Sequence, residues 1–135
     1  MKALFDQVSH QSSKLVTESY STSFSLATRI LSNEIRQDIY NIYGFVRFAD
    51  EIVDTFHDYN KAELFERFEQ SLEQALTDRI SLNPILNSFV NTVEKYKITD
   101  DFAALAFDPV YESYKHLPRI MGIPFYTYDQ LDFNY

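Results

Sequence analysis

Apolar residues recur at helical spacing through most of the chain. Leu4, Phe5, Val8, Leu15 and Val16 predict a helix from Ala3 to about Val16. The next run, Tyr20-Ser-Thr-Ser-Phe24 with Ser19 and Ser25 on either side, is rich in hydroxyls that compete for backbone groups. It predicts a break between helices or the start of a second one. Ser32 or Asn33 can cap a third helix running to Phe56, with Glu34 in its first turn. A fourth is expected from Lys61 to Leu76, where Leu64, Phe65, Phe68, Leu72, Ala75 and Leu76 form one stripe. Asn83-Pro84 opens a fifth that reaches Tyr96: Asn is the cap, and Pro stands where its missing N–H costs nothing. Thr99 starts a sixth candidate over 100–115, weakened by Pro109, and residues 116–135 read as loop with a short terminal turn.

The third helix carries the most information. On a helical wheel, Tyr43, Arg36, Asp54, Arg47 and Tyr40 follow Asp50 in that order along one narrow polar stripe. Its apolar residues, among them Phe45, Phe48, Ala49, Ile52 and Phe56, sweep round the remaining side. An arc wider than half the circumference belongs in the middle of a bundle. The polar stripe is then expected to border a cleft rather than open water.

Composition narrows the class. A chain of 135 residues is the length of one domain, and 12 Phe with 10 Tyr are too many for a solvated coil. Two glycines are too few for a turn-rich β-sandwich or a phosphate-binding glycine loop. The absence of cysteine excludes disulfides and thiolate metal sites, and His10, His57 and His116 are too scattered for a zinc motif. A net charge of −8 argues against nucleic acid as a partner and suits a protein that holds cations. No apolar run approaches a membrane span, and the N-terminus lacks the apolar core of a secretory signal, so a cytoplasmic location is expected. These features together predict one all-α unit over 1–135, an antiparallel helical bundle.

Asp50 and Asp54 lie four residues apart, which sets their side chains ~5–6 Å from each other on the stripe. Two such carboxylates repel unless a cation lies between them. Mg²⁺ takes few protein carboxylates and fills its octahedron with water and phosphate oxygens. A paired-Asp helix facing a cleft could therefore anchor a metal-bound diphosphate. Arg47, one turn back, could pair with Asp50 or reach the same phosphates with its planar fork. The spacing alone is common on acidic helices, whose charges are usually solvated.

The run from Arg36 to Asp54 resembles the first signature of the squalene/phytoene synthase family, Mg²⁺-dependent enzymes that join two isoprenoid diphosphates head to head. Tyr43, Phe45, Arg47, Asp50, Glu51 and Asp54 match its pattern, and Tyr20-Ser-Thr-Ser-Phe24 resembles its short Ser/Phe segment. The resemblance covers about Leu4 to Tyr96 and implies the N-terminal half of the isoprenoid synthase fold. It further implies that Asp50 and Asp54 hold Mg²⁺, with Mn²⁺ as a substitute, on the substrate diphosphate. Arg47 and Tyr43 would bind or orient that diphosphate, with Tyr20, Ser21, Thr22 and Ser23 near it and Phe24 walling the allylic carbons. The implied substrate is geranylgeranyl or farnesyl diphosphate. Phytoene-type chemistry of carotenoid biosynthesis is favoured, and no glycine-rich fingerprint supports a reductive step.

The family's second aspartate-rich motif is not found: Asp100-Asp101, Asp108 and Asp129-x-x-Asp132 have the wrong spacing or a proline-rich context. The chain reads as truncated relative to the family. Two readings stay open: a prenyltransferase or its half, and a decayed, non-catalytic module that binds magnesium diphosphate or a partner. A half-bundle is expected to leave the 33–56 arc partly uncovered, which predicts self-association, with a homodimer as one arrangement. Peripheral membrane contact fits hydrocarbon products, although no basic amphipathic helix points to it.

Overall fold

Helix signals and helix ends agree over much of the chain. The computed structural model describes residues 1–98, which form α1 (Lys2–Tyr20), α2 (Thr22–Thr28), α3 (Asn33–Asp54), α4 (Lys61–Asp78) and α5 (Pro84–Tyr96). Among the described residues there is no strand, and no helix is long and apolar enough to cross a membrane. The sixth helix expected over 100–115 and the tail over 116–135 lie outside the described residues.

The ends follow from local chemistry. Asn83 accepts from the backbone N–H groups of Ile85 (2.9 Å) and Leu86 (3.4 Å), and Pro84 takes the first turn, as expected. Asn60 caps α4 by accepting from the Glu63 N–H, and Arg79 ends it in the left-handed region at φ 61°. Helix α3 does without a side-chain cap at Ser32. Instead, Arg36 donates to the carbonyls of Arg29 (2.8 Å) and Leu31 (2.9 Å), pinning the loop that precedes it.

Helix α1 runs one turn beyond the expected end at Val16, through a segment rich in Ser and Thr. The hydroxyls of Ser9 and Thr17 bond back to the carbonyls of Phe5 and Ser13, both at 2.9 Å, so they do not compete with the helix. Ser9, Ser13 and Thr17 are fully buried, with Ser13 hydrogen-bonded to Ser88 and Ser9 to Asn87 of α5. Small residues let the helices approach closely. A Cβ on Gly44 of α3 would stand 3.1 Å from Ser13 Oγ and 3.3 Å from its Cα.

Helices α1, α3 and α5 pack on one another, and α4 lies against α3 and α5. Phe45 stacks on Phe89 at 3.9 Å and on Phe68 at 6.1 Å, in a core completed by Leu72, Leu76, Leu86, Val90 and Val93. Each such side chain contributes ~1.5–3 kcal/mol on burial.

Two expectations for α3 change. Its apolar arc is covered: Phe45, Ala49 and Ile52 are buried, and Phe48, Val53 and Phe56 are half-buried against the core. The exposed apolar residues lie elsewhere, on α1 (Leu4, Val8, Leu15) and around α2 (Leu26, Ile30). Tyr40, expected on the polar stripe, is buried, because the stripe itself lies against neighbouring helices at that level. Asp38 and Asn41 are buried on the apolar side, where α5 meets them with polar groups. Asp38 accepts from Tyr96 (2.6 Å), Lys95 (2.7 Å) and Thr92 (3.2 Å), and Asn41 donates to Thr92 (3.0 Å). The bond to Asp38 holds the Lys95 ammonium well above its ordinary pKa.

Candidate diphosphate site

The α1–α2 joint lies against the C-terminal half of α3, and that contact assembles most of the expected site. Tyr20 is the last residue of α1, Ser21 is the joint, and Thr22, Ser23 and Phe24 form the first turn of α2. Ser21 accepts from the Phe24 N–H at 3.2 Å, which fixes the turn between the two helices. The Phe24 ring stacks on Tyr43 of α3 with centroids 4.8 Å apart. Burial pushes the Tyr43 phenol up, and a hydrogen bond with Ser21 opposes that shift. Thr22 and Ser23 are exposed on the solvent side of the same turn.

Arg47 is the centre of the cluster. Its guanidinium lies over the Tyr20 ring, 4.8 Å from the centroid, and donates to Glu51 at 3.2 Å. Its other terminal nitrogen is 3.7 Å from Asp50, and its Nε is buried without a hydrogen-bond partner. Burial disfavours the charge, but Asp50 and Glu51 outweigh it and raise the Arg47 pKa. The Tyr20 hydroxyl is bonded to Glu51, which raises its own pKa. Glu51 is desolvated, yet bonds from Thr55, Tyr20 and Arg47 prevail and lower its pKa.

The acidic pair differs along the helix. The Asp50 side chain is 14% exposed, beside Arg47, whereas Asp54 ends α3 and is exposed. The last turn of α3 holds no basic residue, so Asp54 adds negative charge to the negative end of the helix dipole. Among the described residues, no three His, Cys, Asp or Glu side chains gather around one ion position. Two carboxylates a turn apart, with an unsatisfied buried donor nearby, fit Mg²⁺ shared with phosphate oxygens better than an all-protein cage.

An apolar groove of about 450 Å³ opens beside this cluster, within the range of small-molecule pockets. Phe48, Ile52, Phe56, Leu64 and Phe68 line it, and so do Tyr20 and Glu51, which also touch Arg47.

The residue pattern marks Tyr20, Tyr43, Phe24, Arg47 and Asp50 as candidates, and they lie together. It assigns no role to Glu51, which bonds to both Tyr20 and Arg47. Position on the wheel is the available signal, since Glu51 falls between stripe and arc. A family model for squalene/phytoene synthase matches residues 17–113, a span that holds every one of these side chains. No curated protein and no solved structure matches the chain. With well over half of its 135 residues matched, and with a helical fold that brings the matched residues together, the chain belongs to the squalene/phytoene synthase family.

Proposed function

We propose that this chain binds an allylic isoprenoid diphosphate with Mg²⁺ and serves head-to-head prenyl transfer of the phytoene type. The observation that carries this reading is the shared border of a polar cluster and an apolar groove at Tyr20 and Glu51. An amphiphile with an anionic head and a hydrocarbon tail needs such a border.

In this reading Asp50 and Asp54 hold Mg²⁺, for which Mn²⁺ can substitute. When bound, the metal supplies positive charge to the diphosphate oxygens as the allylic C–O bond breaks. Arg47 points its charge, and the unpartnered Nε, at the same oxygens. Tyr43, Tyr20 and Ser21 orient the head, and Thr22 and Ser23 lie close enough in sequence to meet a second phosphate. The C–O electron pair leaves with the diphosphate, and the remaining allylic cation is tolerated by aromatic faces such as Phe24. Its attack by the double bond of a second substrate, followed by proton loss, gives a cyclopropylcarbinyl diphosphate.

The test is incubation with Mg²⁺ and either geranylgeranyl or farnesyl diphosphate. Release of pyrophosphate with a C40 product, abolished in Asp50→Asn, is the expected outcome, with the C20 substrate preferred. A second reading, a non-catalytic module, is favoured by the lack of a three-ligand ion site among the described residues. Saturable Mg²⁺-dependent ligand binding without product supports that reading instead. Product formation unaltered by Asp50→Asn contradicts both.

A further inference from the structure

Arg47 has two acidic neighbours on its own helix, and it does not divide itself equally between them. It donates to Glu51 at 3.2 Å and stands 3.7 Å from Asp50. Glu51 is 14% exposed and takes three side-chain bonds, from Arg47, Tyr20 and Thr55. Tyr20 in turn lies flat beneath the guanidinium. The Glu51 carboxylate therefore fixes both the plane of the arginine fork and the aromatic face that supports it. Three anchors leave this carboxylate little freedom to turn toward an ion.

We infer that Glu51 is a positioning residue that holds Arg47 away from Asp50, so that Asp50 keeps its negative charge for a cation. The inference rests on the proposed function for its consequence but not for its geometry. A buried guanidinium seeks the nearest carboxylate. With Glu51 made neutral, the nearest remaining one is Asp50, an i,i+3 neighbour already 3.7 Å away. Arg47 would close that gap and form a full ion pair, and the pair would compete with the metal. Glu51 thus acts through Arg47 and not as a ligand.

Loss of a negative charge beside an ion site weakens cation binding in any case, so a single variant does not separate the two effects. A double-mutant cycle does. Mn²⁺ alone is the probe, read by the spin-resonance signal of the free ion. Glu51→Gln is expected to weaken Mn²⁺ binding about ten-fold when Arg47 is present and no more than about two-fold in an Arg47→Met background, because contacting residues couple. Equal losses in the two backgrounds overturn the inference.

The second readout needs no metal. With Glu51 in place, the Arg47 Nε–H resonance is expected to exchange slowly with water. It should stay slow in Asp50→Asn and become fast in Glu51→Gln. The reverse pattern, with Asp50→Asn releasing Arg47 and Glu51→Gln leaving it held, overturns the inference even if Mn²⁺ does not bind. Failure of Mn²⁺ to bind the unaltered protein counts against the proposed function, whereas the resonance decides the role of Glu51.

Discussion

His10 is half-buried on α1, with Asp6 and Lys2 on its own helix, Asp38 on α3 and Lys95 on α5 around it. Burial lowers its pKa from 6.5, and the two carboxylates only partly offset that. The folded state thus binds its proton less readily than the unfolded chain. Stability from this residue is complete above pH 6.5 and declines as the pH falls below that toward the folded value. Thermal melts at pH 7.5 and pH 5.5 should show a lower midpoint at the acidic value, and His10→Gln should flatten the difference. An identical slope in the variant would assign the acid sensitivity to other groups. At the same scale, Asp38 and Asn41 show what a hydrophobicity pattern hides. Both fall inside the apolar arc of α3, yet each is buried and bonded to α5. Their partners, Thr92 and Lys95, lie more than fifty residues along the chain, beyond the reach of local periodicity.

Helix ends were legible where a side chain makes the cap. Asn83 with Pro84 marks the start of α5 unambiguously because the cap and the fixed φ of proline act within three residues. The end of α1 was not legible, since serine and threonine at Ser9, Ser13 and Thr17 read as helix breakers until α5 is packed against them. The seam of α1 and α3 gives a direct test of that packing. Gly44→Ala places a methyl group 3.1 Å from Ser13 Oγ and 3.3 Å from its backbone. Alanine improves helix propensity by ~1 kcal/mol, but overpacking typically costs ~1–3 kcal/mol. Because Ser13 is also bonded to Ser88, α1 cannot yield freely. Denaturant unfolding should show a net loss of about 1 kcal/mol. A gain would mean that α1 and α3 are not locked at this level.

For the whole molecule, the breadth of the α3 arc was enough to predict a central helix in an all-α bundle, and α1, α4 and α5 do surround it. The expectation that the arc stays uncovered failed because α4 and α5 supply its partners within the described residues. Most of the candidate site was legible too, since Tyr20 and Phe24 meet Arg47 and Tyr43 through one short joint. The different exposure of the two aspartates was not legible: the wheel gives them neighbouring angles, while the end of the helix sets Asp54 in solvent. The central claim is that these carboxylates, with Arg47, hold magnesium and a diphosphate. Calorimetric titration of inorganic pyrophosphate into the protein, with and without Mg²⁺, addresses it most directly. Saturable heat that requires Mg²⁺, weakened at least about ten-fold in Asp50→Asn and in Asp54→Asn (~1.4 kcal/mol) with unchanged melting, is the result predicted. Pyrophosphate binding of equal strength without Mg²⁺, or in both variants, would contradict it.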